Sequence, residues 1–195
     1  MEDAQLKELL IQALETERGG IKLYEAAVKC ADNDDLRKEW EKYLAETRQH
    51  AETVENLCGT FGIDPNEDTP GRRVVAHLGD SLLEAIELAS KEGPPEAAQV
   101  VAAECITLAE TKDHLNWELL GECARKLGGE RQKALKAAYD EIEDQEDEHL
   151  YHTRGWCREL WMDSLGLKAV LPPPEERRHV KTAIGAARAE QSRKH

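Results

Sequence analysis

The sequence predicts an all-α protein: a bundle of four long helices, with an additional helix in the long connection between the second and the third. Three observations carry that expectation. Segments with apolar residues three and four apart dominate the chain, and they are rich in Ala, Leu, Glu and Lys. β-branched residues are scattered, and no stretch of strand length alternates cleanly between apolar and polar. Pro65, Pro94 and the Gly128-Gly129 pair fall between the periodic segments and mark their ends.

The elements follow in order. The first helix is expected over 3–31, ending near Ala31-Asp32-Asn33, and the second over 34–62, stopping before Pro65. The connection that follows is too long for a simple loop. Val74, Val75, Leu78, Leu82, Leu83, Ile86 and Leu88 give it a helical period over 72–91. Pro94-Pro95 starts the third long helix, 95–127, and Gly128-Gly129 stops it. The fourth covers 130–164 and stops near Gly166. Four helices with one long crossover is a known bundle topology. The expected division is a bundle over 1–166 and a Pro-containing basic tail over 167–195. Pro172-Pro173-Pro174 breaks any helix there. Residues 174–195 carry a net +3, so residues 1–173 carry −17. The tail is either a solvated terminus or a short helix docked on an acidic surface.

Composition narrows the function classes. The chain has 195 residues, 40 Asp+Glu against 26 Lys+Arg, and a formal net charge of −14. Such acidity argues against nucleic acid as a partner. No apolar run approaches the ~18 residues of a membrane span, so no membrane partner is expected. Met1-Glu2-Asp3-Ala4 has no signal-peptide character. Cys30, Cys58, Cys105, Cys123 and Cys157 are odd in number and form no CxxC pair. They read as reduced, helix-packing cysteines of a cytoplasmic protein.

Polar residues that interrupt the apolar seams carry the chemistry. The first seam runs Leu6, Leu10, Ala13, Glu17, Gly20, Tyr24, Ala27. The second runs Leu36, Trp40, Tyr43, Thr47, His50, Val54, Leu57, with Glu46 at its edge. The third runs Ala103, Ile106, Glu110, His114, Trp117, Gly121, Ala124. The fourth runs Leu135, Tyr139, Ile142, Glu146, His149, Thr153, Trp156, Leu160. Each long helix thus places an ionisable group at mid-length on its inward face. A buried unpaired carboxylate costs several kcal/mol. A bound dication satisfies carboxylates and neutral imidazoles together. Glu146 and His149, three residues apart, share one helix face and can meet one metal.

Each residue also has a structural alternative. Glu146 and His149 could lie on a solvated face beside Asp144, Asp147 and Glu148. Glu17 and Glu110 could be buried acids held by Arg or Tyr, and His50 a satisfied core histidine. Glu46 could pair with Lys42 at the surface. Gly19-Gly20 reads as a close helix contact or a ligand opening.

An internal repeat links the two halves. Glu17, Tyr24, Glu25, Cys30 and Ala31 recur at an offset of 93 as Glu110, Trp117, Glu118, Cys123 and Ala124. His50 and Cys58 recur at an offset of 99 as His149 and Cys157, with Thr47 standing opposite Glu146. The chain reads as two related helical hairpins.

With these residues in view, the chain resembles the ferritin-like superfamily. Its four-helix bundles hold a dinuclear metal site from single Glu residues on the first and third helices and Glu-x-x-His on the second and fourth. Helix order, the extra crossover helix, and Ala45-Glu46-Thr47-Arg48-Gln49-His50 before Gly62-Ile63-Asp64-Pro65 look most like the YciF-type, stress-associated branch. The resemblance implies metal ligands at Glu17, His50, Glu110, Glu146 and His149, and the spacing adds Glu46 and His114 as candidates outside the family pattern. Its helix-two carboxylate would fall at Thr47, so either Glu46 replaces it or the second metal position is weak and the site is mononuclear or asymmetric. His114 is either a replacement ligand or a support behind one; His152 is a weaker candidate. The implied cofactor is dinuclear iron, with manganese or zinc as alternatives. The implied chemistry is Fe(II) oxidation by dioxygen or peroxide, in oxidative stress or iron handling; separately, the acidic surface, basic tail and helical faces would support a homodimer. The alternative is a non-enzymatic bundle acting through association, with a vestigial or structural metal site.

Overall fold

The computed structural model describes residues 3–174. Over them the chain forms five helices and no strand: α1 (Asp3–Cys30), α2 (Asp34–Phe61), α3 (Pro70–Glu92), α4 (Pro95–Ala124) and α5 (Gly129–Ser164). The basic stretch 175–195 lies outside the described residues. No described helix is long and apolar enough to cross a membrane.

Local chemistry explains the boundaries. The Asn33 side chain accepts from the Asp35 and Leu36 amides and starts α2. Gly62 ends it with φ 69°, the left-handed conformation that favours glycine, while Ile63 N bonds to Cys58 O at 2.8 Å. α3 starts two residues before its expected position, because the Thr69 hydroxyl caps the Arg72 amide and Pro70 fits the first turn. α4 ends at Ala124, ahead of the expected 127; Leu127 N still reaches Cys123 O at 3.1 Å, as a turn.

The helices pair as the repeat implies. α1 packs on α2 and α4 packs on α5, and the two hairpins join along α1–α4 and α2–α5. α3 lies across α1 and α4 and makes no packing contact with α5. It is a cover more than a core element: Val75 and Ile86 are buried, but Val74, Leu78 and Leu88 are more than half exposed. Gly19 and Gly79 let α1 and α3 approach closely; a Cβ on Gly79 would stand 3.7 Å from the Gly19 Cα.

The bundle interior is two apolar masses. One is built around Leu10, Leu14, Val54, Leu57, Leu120 and Leu135. The other is built around Tyr24, Leu36, Trp40, Tyr43, Ile106 and Leu160. Along every long helix the chain passes from one to the other through a polar residue at mid-length. That polar layer is where the site sits.

Ile86 is the fully buried anchor of α3. Ile86→Ala should therefore destabilise the protein by about 2–5 kcal/mol in urea denaturation. Val74→Ser, at an exposed position of the same helix, should stay within about 0.5 kcal/mol of wild type.

Candidate metal centre

The layer between the two apolar masses contains Glu17 from α1, His50 from α2, Glu110 and Asp113 from α4, and Glu146 and His149 from α5, all buried. His50 Nδ1 stands 2.8 Å from Glu146 Oε1 and 3.9 Å from Glu17 Oε1. His149 Nδ1 stands 3.8 Å from Glu110 Oε2 and 3.9 Å from Glu146 Oε1. Two groups emerge, each with ligand atoms within 4.8 Å of one another: His50, Glu146 and His149, and Glu17, Asp113 and Glu146. Glu146 belongs to both.

The outer contacts follow the repeat. Tyr24 Oη donates to Glu110 Oε1 at 2.8 Å, and its repeat mate Trp117 donates from Nε1 to Glu17 Oε1 at 2.9 Å. Each hairpin thus steadies the other's carboxylate. The imidazoles are held likewise. His149 Nε2 meets Glu46 Oε2 at 2.9 Å, and His50 Nε2 meets Gln145 Oε1 at 3.0 Å. Glu46 and Gln145 are themselves mates at the offset of 99. With both Nε2 atoms engaged at the rim, both Nδ1 atoms face the centre.

Two positions break the symmetry. Glu146 has Thr47 as its mate, and Asp113 has Gly20. Thr47 turns its hydroxyl to Tyr43 O at 2.8 Å, and its methyl lies 3.3 Å from where a Gly20 Cβ would stand. The first hairpin therefore closes tightly where the second presents two carboxylates.

This arrangement distributes the sequence candidates unevenly. Glu17, His50, Glu110, Glu146 and His149 come together. Glu46 stands behind His149, with Oε2 2.9 Å from its Nε2, and also lies 3.7 Å from Lys42. His114 stands apart from the cluster, paired with Asp147 at 2.7 Å. His152 Nδ1 contacts Glu39 and Tyr43 instead. Asp113 joins the cluster although the seam traced through His114 passes it by. The spacing could have shown it, because Ile106, Glu110, Asp113 and Trp117 run at steps of four and three just as the path through His114 does.

The centre is rich in ligand atoms that nothing in the protein satisfies. Glu17 Oε2, Glu110 Oε2, Asp113 Oδ1, both Glu146 oxygens and both His Nδ1 atoms are buried without a well-directed hydrogen bond, the 2.8 Å approach of His50 Nδ1 to Glu146 Oε1 included. Burial, then neighbouring carboxylates, pushes the Glu17 and Asp113 carboxyls well above the ordinary range. Burial and the Glu146 charge do the same at Glu110. At Glu46 burial also pushes upward, but His149, Lys42 and His50 together outweigh it and hold the carboxyl low. Inward carboxylate oxygens and imidazole nitrogens fit a dication of the iron, manganese or zinc kind, and a cation relieves the mutual repulsion.

The raised carboxyls set the pH dependence of the metal-free protein. They hold protons when folded that the unfolded chain has released. Their stabilising protonation is therefore complete below about pH 4.5 and is lost as pH rises through their folded range. Glu110→Gln removes one charge and keeps an acceptor for Tyr24. It should raise the stability of the chelator-treated protein at pH 7.5 by about 1–3 kcal/mol in urea denaturation, and by less near pH 4.5. A loss of stability at pH 7.5 would contradict repulsion among these carboxylates.

No curated protein and no solved structure matches the chain. The family described as "Domain of unknown function (DUF892)" matches residues 3–107, which span α1 to α3 and the part of α4 just before Glu110. The chain belongs to the DUF892 family, within the ferritin-like superfamily.

Proposed function

We propose that the protein is a metal-binding bundle of the YciF type with a dinuclear centre at mid-length, iron being the first candidate and manganese or zinc the alternatives. The observation that carries this reading is the set of buried, partnerless carboxylate oxygens and imidazole Nδ1 atoms converging from four helices. Glu17, Asp113 and Glu146 would hold one ion, and His50, His149 and Glu110 with the shared Glu146 the other. Bound iron would supply one-electron chemistry toward dioxygen or peroxide, which suits a role in oxidative stress or iron handling.

The chain's own residues prepare that site. Glu46 and Gln145 fix the imidazole planes and leave Nδ1 as the inward donor. Tyr24 and Trp117 fix one oxygen each of Glu110 and Glu17 and leave the other free. The apolar masses on either side exclude bulk water, which strengthens the binding of a cation to the carboxylates.

Metal analysis of protein purified from supplemented culture tests the reading. Two dications per chain are expected, with occupancy falling at least by half in His149→Ala and in Glu146→Gln. Aerobic addition of Fe(II) to the metal-free protein should then produce Fe(III) faster than buffer alone. Two bound ions without faster oxidation would favour a structural metal site. Sub-stoichiometric metal, insensitive to both substitutions, would overturn the proposal.

A further inference from the structure

A cavity of about 620 Å³ opens between α4 and α5, and Glu146 forms part of its wall. Glu146 is 1 % exposed, and neither of its carboxylate oxygens has a hydrogen-bond partner. The remaining wall is strongly acidic: with Glu146 it carries five carboxylates, Glu118, Glu143 and Asp147 among them, against the single guanidinium of Arg125. His114 stands in the same wall, 2.7 Å from Asp147 and 3.9 Å from Glu118. One buried, unpartnered carboxylate thus belongs both to the centre and to a solvent-connected acidic cleft.

The internal repeat provides a comparison within the same molecule. The equivalent positions on the α1–α2 face are Ile21 for His114, Arg48 for Asp147, Glu25 for Glu118 and Leu44 for Glu143. There Arg48 and Glu25 close an ion pair at 2.7 Å, and Gly20 packs against Thr47 beneath it. The α2–α5 side is closed as well, because Lys42 bridges Glu46 and Glu148 over His149. The α4–α5 face combines an opening, excess negative charge and an inward carboxylate.

The geometry points to the α4–α5 cavity as the route by which a divalent cation reaches the centre, with His114, Asp147 and Glu118 as a loose stopping place at its mouth. This rests on the metal-centre reading given above. The mouth residues are more exposed than the buried groups of the centre, as a transient stop requires: strong binding there would hold the ion short of the centre. Negative walls of low dielectric raise the local concentration of a cation and its rate of entry.

Stopped-flow mixing of the metal-free protein with Co(II) tests the route. Quenching of tryptophan fluorescence reports arrival, since Trp117 is bonded to Glu17 in the centre. Equilibrium Co(II) stoichiometry is measured alongside. Glu118→Lys/Glu143→Lys reverses charge at two exposed mouth positions. It should slow uptake on the order of tenfold and flatten its salt dependence, with stoichiometry unchanged. His114→Gln and Asp147→Asn should each slow uptake several-fold. Glu84→Lys/Glu92→Lys makes the same charge change on α3 and should leave the rate within about twofold. Equal rates for wild type and mouth variants would overturn the route, as would equal slowing by the α3 control. Loss of stoichiometry in a mouth variant would make those residues resident ligands and overturn it too. Absence of Co(II) binding in wild type would remove the metal centre itself, an outcome distinct from unchanged rates.

Discussion

Everything in this bundle is arranged around one electrostatic conflict. Glu17, Glu110, Asp113 and Glu146 are brought to one level inside the protein, and the side chains that join them there are two imidazoles. Apolar packing above and below fixes the four long helices, so the acids cannot turn outward without emptying a core. Protonation relieves the conflict at a cost in pH range; a dication relieves it at neutral pH. The contacts at the rim serve the same end. Tyr24, Trp117, Glu46 and Gln145 each use an outer atom of an inner side chain and leave the inward atom unspent.

The symmetry of the repeat and its breaking divide the labour. Where the hairpins match, they hold each other's carboxylates and orient each other's imidazoles. Where they differ, one becomes a closed wall and the other an acidic one. Gly20 and Thr47 meet in close apolar contact, while their mates Asp113 and Glu146 are the two added charges. The site's surplus negative charge thus comes from the α4–α5 hairpin, the same one whose face is open.

Most of the fold was legible because helix punctuation is local chemistry. Asn33 and Pro95 mark ends that tertiary packing did not override. α3 was legible as a helix but not as a cover: its apolar period fits a core helix, yet only Val75 and Ile86 are buried among its described residues. The centre was legible in five of its residues, since an acid or histidine inside an apolar seam is costly to bury unless something compensates it. Asp113 was hidden because a helical face is wider than one seam, and the path through His114 fits the same steps. Spacing puts Glu46 on the face of His50, whereas the contact between α2 and α5 carries it to the Nε2 of His149.

Anomalous diffraction from crystals of the purified protein tests the central claim most directly. Two metal peaks are expected at mid-bundle, about 3.5–4 Å apart, with Glu146 touching both and the Nδ1 atoms of His50 and His149 as nitrogen ligands. Metal found only at the surface, or a centre in which Glu146 and both Nδ1 atoms bind nothing, would contradict it.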